Sequence, residues 1–161
     1  MRFPTTSKNV EDIDAEKSAK MLEYAIENGV NYFDTAYVYH GGKSESFIGR
    51  VLKPYRDKIH IATKCPTWEV KCEEDFDRLL NEQLERLQTD YIDFYLMHAL
   101  DKDRFKNVVE KFNLIDKLNK AKADGKIRHI GFSFHSTPEE LEEILNAHPE
   151  AEFVQRRHGA G

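Results

Sequence analysis

Residues 33–49 read FDTAYVYHGGKSESFIG, and the change of character inside this stretch decides the fold. VNYFDTA, residues 30–36, has the composition of a strand, yet it presents a carboxylate at Asp34 near its end. Tyr37, Tyr39 and His40 follow before the Gly41-Gly42 turn. Ser44 is then expected to cap a helix whose apolar side is Phe47, Ile48, Val51 and Leu52, with Pro54 at its end. A strand that delivers polar groups to its C-terminal end and returns through a helix is half of a βαβ unit.

The same alternation extends in both directions. Upstream, Ala15, Ala19, Leu22 and Ile26 share one face of a helix expected over 14–28, which Gly29 ends in a left-handed conformation. Downstream, IHIATKC (59–65) reads as a strand, and 72–88 as a helix carrying Phe76, Leu80, Leu84 and Leu87. DYIDFYLMHA (90–99) is a long apolar strand, after which Phe112, Ile115 and Leu118 mark a helix ending at Gly125. IRHIGFSF (127–134) is the next strand, Thr137 caps a helix with Pro138 in its first position, and Phe153, Val154 and Gln155 begin a further strand. Five strands and five helices with crossovers between them predict an α/β fold, a parallel sheet with helices packed outside it.

This pattern fits both an open doubly wound sheet and part of an eight-stranded barrel. No G-x-G-x-x-G follows the first strand and no G-x-x-x-x-G-K-[ST] occurs, so the usual phosphate loops of open nucleotide-binding sheets are missing from the sequence. Instead Asp34, Lys64 and His98 lie at or near the C-terminal ends of three successive strands. In a parallel barrel those ends face one mouth, so the three are candidates for one site, with Tyr39 on the loop above it. A phenol parts with its proton more readily when an ammonium stands near its oxygen. Lys64 is placed to act so on Tyr39, Asp34 to orient Lys64, and His98 to hydrogen-bond a substrate oxygen. The set suits protonation of a carbonyl oxygen while its carbon receives hydride. Taken singly, each residue has a plainer reading: Asp34 a turn residue, Tyr39 a packed aromatic, Lys64 a solvated cation, His98 a core-edge histidine.

The 161-residue chain is 40% hydrophobic, enough for a core, and its net charge of −5 is interspersed along the chain. No long basic run offers itself to a phosphate backbone, so nucleic acid is not an expected partner. Cys65 and Cys72 form no Cys-x-x-Cys pair and are expected to stay reduced. MRFPTTSKNVEDID lacks the apolar run of a secretory signal, and no segment approaches a membrane span. The expected setting is the cytoplasm, without a membrane partner.

At the level of motifs the chain resembles the aldo-keto reductases, NADPH-preferring (β/α)8 barrels that reduce aldehydes and ketones. FDTAYVYHGGKSESFIG is similar to the family's F-D-T-A-x-x-Y-G-x-x-x-S-E-x-x-[LI]-G signature, IATKCP to its lysine strand, YIDFYLMHA to its D-x-[YF]-x-[LI]-H segment, and GKIRHIGFS to its later G-K-[IV]-R-x-[IL]-G-x-S segment. The resemblance spans about residues 1–155. It implies a catalytic tetrad of Asp34, Tyr39, Lys64 and His98, with Tyr39 the general acid and a small carbonyl compound as substrate. It also implies that Ser133 and Gln155 contact the nicotinamide carboxamide of NADPH, NADH being the alternative. Phe134 stands where the motif usually has Asn. FSFH is similar to a subgroup whose longer members carry iron-sulfur motifs toward the C-terminus, so a cluster would belong to such a region. No metal site is expected in these residues.

A complete barrel of this kind has about 250 residues. The chain therefore reads as a single incomplete barrel domain over 1–161, a partial TIM (β/α)8 barrel lacking the first and last strands, with 156–161 an atypical tail. Open sheet edges are expected to favour self-association. Two other readings stand beside catalysis: a metal-dependent hydrolase using Asp34 and His98, disfavoured because Lys64 occupies the intervening strand end, and a non-catalytic cofactor-binding or interaction protein of the same fold.

Overall fold

The computed structural model describes residues 1–156; of the tail singled out above, residues 157–161 lie outside that range. Five strands form one parallel sheet in the order β1-β2-β3-β4-β5: β1 Tyr32–Asp34, β2 His60–Cys65, β3 Ile92–Leu100, β4 Ile127–Phe134 and β5 Phe153–Arg156. Sequential order with helical crossovers is the winding of a (β/α)8 barrel, and the sheet curls into part of one.

Among the described residues there are six α-helices, not five: α1 Ala15–Glu27, α2 Ser44–Leu52, α3 Glu73–Leu87, α4 Lys102–Arg104, α5 Leu114–Ala123 and α6 Pro138–Ala147. The addition is α4, a single turn capped by Asp101, whose carboxylate accepts from the Arg104 amide at 2.7 Å. It runs on into a π-helical turn, Phe105–Glu110, which buries only Phe105 and Val109. So short an apolar stripe leaves no period to detect.

Several helix ends follow local chemistry, and one expected cap does not form. Gly29 and Gly125 take positive φ, +89° and +77°, directly after α1 and α5, where a Cβ is disfavoured. Asp75 folds back at the start of α3 to accept from the Lys71 and Cys72 amides at 2.8 and 3.2 Å, so part of the acidic run Glu73–Asp75 is a cap. Ser44, expected to cap α2, is instead its first helical residue, and its hydroxyl pairs with that of Thr35 at 2.9 Å.

The core lies between the sheet's outer face and the helices. Phe33, Ile61, Tyr95, Met97, Ile130 and Phe132 alternate outward from successive strands and meet Ile48, Leu52, Phe76, Leu79, Leu80 and Leu118, all 2% exposed or less. Each such side chain contributes roughly 1.5–3 kcal/mol by leaving water. At the N-terminal end of the sheet, buried Asp93 accepts from Arg56 at 2.7 Å, the Ile61 amide at 2.9 Å and Arg128 at 3.0 Å, tying three strands together. On the inner face at this end Tyr32, His60, His129 and Phe153 surround Phe94, their ring centroids 4.9–6.0 Å from its own.

Candidate active site

Parallel register brings the strand-end residues together. Asp34 pairs with Ala62, so Lys64 stands two residues further along the same face of the neighbouring strand. The Lys64 ammonium, its side chain 3% exposed, donates to both Asp34 oxygens at 2.6 and 2.9 Å and to the Thr35 carbonyl at 2.7 Å. Three N–H groups thus have three acceptors. The Tyr39 ring lies over this pair, its centroid 5.0 Å from the ammonium. Among the described residues no hydrogen bond joins its hydroxyl to Lys64.

His98 comes from β3, its ring edge-on to Tyr39 with centroids 6.2 Å apart, and tilted against Trp68 at 5.1 Å. Its Nδ1 is buried without a partner. Burial first, then the Lys64 charge, push the imidazole down to about 4, against the opposing pull of Asp34. His98 is therefore a neutral ring at ordinary pH.

Ser133 and Gln155 enter from β4 and β5, paired directly across the register. The Ser133 hydroxyl oxygen accepts from the Ala99 amide at 2.7 Å, leaving its own proton to give. Gln155 Oε1 is buried with no donor. A cavity of about 300 Å³ is lined by Tyr39, Lys64, His98, Ser133, His135, Gln155 and Arg156. Five of the six residues singled out in the sequence share this wall, and Asp34 stands behind Lys64 as its counter-ion.

Tyr37 and His40, which flank Tyr39 in the sequence, have other roles. Tyr37 turns outward, its hydroxyl donating to Glu82 at 3.1 Å and its ring under the Arg86 guanidinium at 4.0 Å. His40 accepts from the Phe3 amide at 2.9 Å and lines a separate cavity with Met1, Phe3 and Val10. Trp68 leans on His98 without lining the main cavity.

Sequence reasoning missed a buried network directly behind β2. Glu45 of α2, fully buried, accepts from Thr63 and from Gln83, each at 2.6 Å, and from Arg86 at 3.3 Å. Gln83 also donates to the Lys64 carbonyl at 3.0 Å and accepts from the Tyr95 hydroxyl at 2.7 Å. This network fixes the backbone that carries Lys64. Its signal was a Glu at the start of α2 three and seven residues before Ile48 and Leu52, on the helix face that turns to the core. His135, which lines the cavity just beyond β4, was also missed.

The family model described as "Aldo/keto reductase family" matches residues 1–157. The chain is 35% identical over 136 residues to a glyoxal reductase of Bacillus subtilis, covering 82% of the chain and 45% of that protein. It is 35% identical over 116 residues to an L-galactose dehydrogenase of Arabidopsis thaliana, covering 68% of the chain and 35% of that protein. Among solved structures, an aldo-keto reductase of Bacillus halodurans in its holo form superposes with a TM-score of 0.74 at 28% identity, over 90% of this chain and 49% of that one. The chain spans less than half the length of these curated relatives. With the match extending over every described residue, the chain belongs to the aldo/keto reductase family.

Proposed function

We propose that this chain carries the carbonyl-reducing site of an NADPH-dependent aldo-keto reductase, with Tyr39 as general acid and a small aldehyde or ketone as substrate; NADH is the alternative cofactor. The observation that carries the reading is the single cavity lined by Tyr39, Lys64, His98, Ser133 and Gln155, with Asp34 bonded to Lys64 behind it. The reductase names of the relatives, glyoxal reductase and the methylglyoxal reductase of Escherichia coli, support the substrate class.

The donor set suits a nicotinamide carboxamide. Ser133 has a hydroxyl proton to give, and the Gln155 amide oxygen lacks a donor, which matches an amide group's own acceptor and donors. When bound, the reduced nicotinamide supplies the hydride. Tyr39 gives its proton to the carbonyl oxygen, and the nearby Lys64 ammonium stabilises the phenolate left behind. Asp34 holds Lys64 in place. His98 is neutral above about pH 4, so it offers the substrate oxygen a ring N–H without rivalling Tyr39 as a proton source. Two free thiols, Cys65 buried and Cys72 exposed, support a reducing compartment, most simply the cytoplasm.

The test is to mix the purified chain with NADPH and a panel of small aldehydes, follow cofactor absorbance, and repeat with Tyr39→Phe. General acid catalysis contributes about 10²–10⁴-fold, so the variant should fall at least 100-fold. Cofactor oxidation that is absent, or indifferent to Tyr39, sinks the proposal. One observation favours the non-catalytic reading: the Lys64 N–H groups are all engaged by Asp34 and Thr35, leaving none for the Tyr39 hydroxyl. Cofactor fluorescence changes without turnover would select it. Self-association through the exposed edge around Val30 and Tyr32, 46% and 40% exposed, is checked by sedimentation across a concentration series.

A further inference from the structure

His98 sits beside an irregularity that the proposed chemistry does not by itself explain. Met97 pairs with Phe132 and Leu100 with Phe134, so three steps along β3 face two along β4. The extra residue is a β-bulge. Ala99 within it has φ +53°, a left-handed conformation that a residue with a Cβ adopts only when its surroundings enforce it.

The enforcing groups are side chains from three different elements. The Ala99 amide donates to Ser133 Oγ at 2.7 Å, and its carbonyl accepts from Arg104 Nη1 at 2.6 Å. The preceding carbonyl, that of His98, accepts from Thr67 Oγ1 at 3.0 Å, and Thr67 is fully buried. Arg104 reaches back because Asp101 caps α4 and turns the chain immediately after the strand. Its nearest carboxylate, that of Asp101, stands 3.9 Å away, so the contact to Ala99 is the shorter engagement of this guanidinium.

The bulge has a consequence for side-chain direction. Strand alternation sets Phe94, Leu96 and His98 on the inner face, and without the extra residue Leu100 would join them in the cavity. With it, Leu100 turns outward into the core beside Met97, at 1% and 0% exposure, while His98 keeps its inward aim. A regular strand has to bring Leu100 into the cavity or rotate His98 out of it.

We propose that Arg104, together with Thr67, is a positioning residue that holds the left-handed bulge at Ala99 and thereby keeps the His98 imidazole turned into the cavity. The inference deepens the reading of the site given above. Its readout is the state of the His98 ring, which is visible whether or not the chain turns over substrate.

The experiment follows the His98 ring protons by NMR against pH in the full chain, assigned by their loss in His98→Gln. The charged and titratable groups facing the ring are Lys64, Asp34, His135 and Arg104, with Tyr39 edge-on. In the native chain the signals should stay constant from pH 8 to about 5, because burial and Lys64 hold the imidazole down to about 4. Arg104→Met should bring the midpoint up toward the free value of about 6.5. Adding Ala99→Gly should return it most of the way, since glycine takes positive φ freely and cannot replace a lost charge. Arg104→Lys, which keeps charge and donor, should behave as the native chain. A midpoint unmoved by Arg104→Met, or moved but indifferent to Ala99→Gly, overturns the proposal. If Arg104→Met does not fold, Thr67→Val, which removes the hydroxyl at equal volume, is read the same way, and an unmoved midpoint there overturns it equally.

Discussion

Replacing Asp34 by Asn tests whether the centre of the site is a buried ion pair. Lys64 is 3% exposed and Asp34 20% exposed, and the carboxylate takes two of the three short contacts of the ammonium. Removing one partner of a buried pair typically costs about 3–5 kcal/mol, because the remaining charge has lost its compensation. Here the Asn amide oxygen still accepts one hydrogen bond, the Thr35 carbonyl stays in place, and a fifth of the Asp34 side chain already meets water. The expected loss therefore falls at or below the lower bound of that range, about 2–3 kcal/mol, or roughly 5–10 °C in Tm for a chain of this size. Urea denaturation followed by circular dichroism measures it directly. Adding Lys64→Met removes the orphaned charge, so the double variant should regain at least about 1 kcal/mol over Asp34→Asn alone. A single-variant loss below about 0.5 kcal/mol, or a double variant no better than the single, would refute the assignment of a desolvated pair.

Other parts of the structure make their own demands. Burial opposes ionisation of Asp93, but the Ile61 amide and the Arg56 guanidinium outweigh it and hold the carboxyl below its ordinary range. A depressed carboxylate stabilises the fold fully above the unfolded value of about 3.9 and loses that contribution as pH falls through the folded value, so Asp93→Asn should be less stable by about 3 kcal/mol at pH 7 and show a shallower acid limb in pH-dependent unfolding. A Cβ on Gly131 would lie 2.6 Å from both the ring and the carbonyl oxygen of Phe153; Gly131→Ala should therefore loosen β5 and give faster amide exchange at Phe153–Arg156, with protection equal to native counting against the packing described.

The order of strands and helices was legible from residue spacing, because apolar periods of two and near four record which face of each element meets the core. The convergence of Asp34, Lys64 and His98 was legible for a related reason: once strands are parallel and sequential, their C-terminal ends share one mouth. Local signals also sufficed for Gly29, Gly125 and Thr137 as terminators and cap. Ser44 shows where they stop, since its hydroxyl was free to cap a helix until folding brought Thr35 within 2.9 Å.

What tertiary structure alone decided is how the side chains at the mouth are held. That all three Lys64 N–H groups are consumed by Asp34 and Thr35, that Glu45 is buried behind it, and that Tyr37 faces Arg86 while Tyr39 faces the cavity depend on partners some 20 to 50 residues away. The bulge at Ala99 is of the same kind. No propensity of an alanine between His98 and Leu100 foretells a left-handed backbone, because its energy comes from Ser133 and Arg104, which reach it only after β4 has paired and α4 has turned. Sequence determined which groups arrive at the cavity, since that follows from period and order; packing determined which way they point, since hydrogen bonds between distant elements exist only in the folded chain.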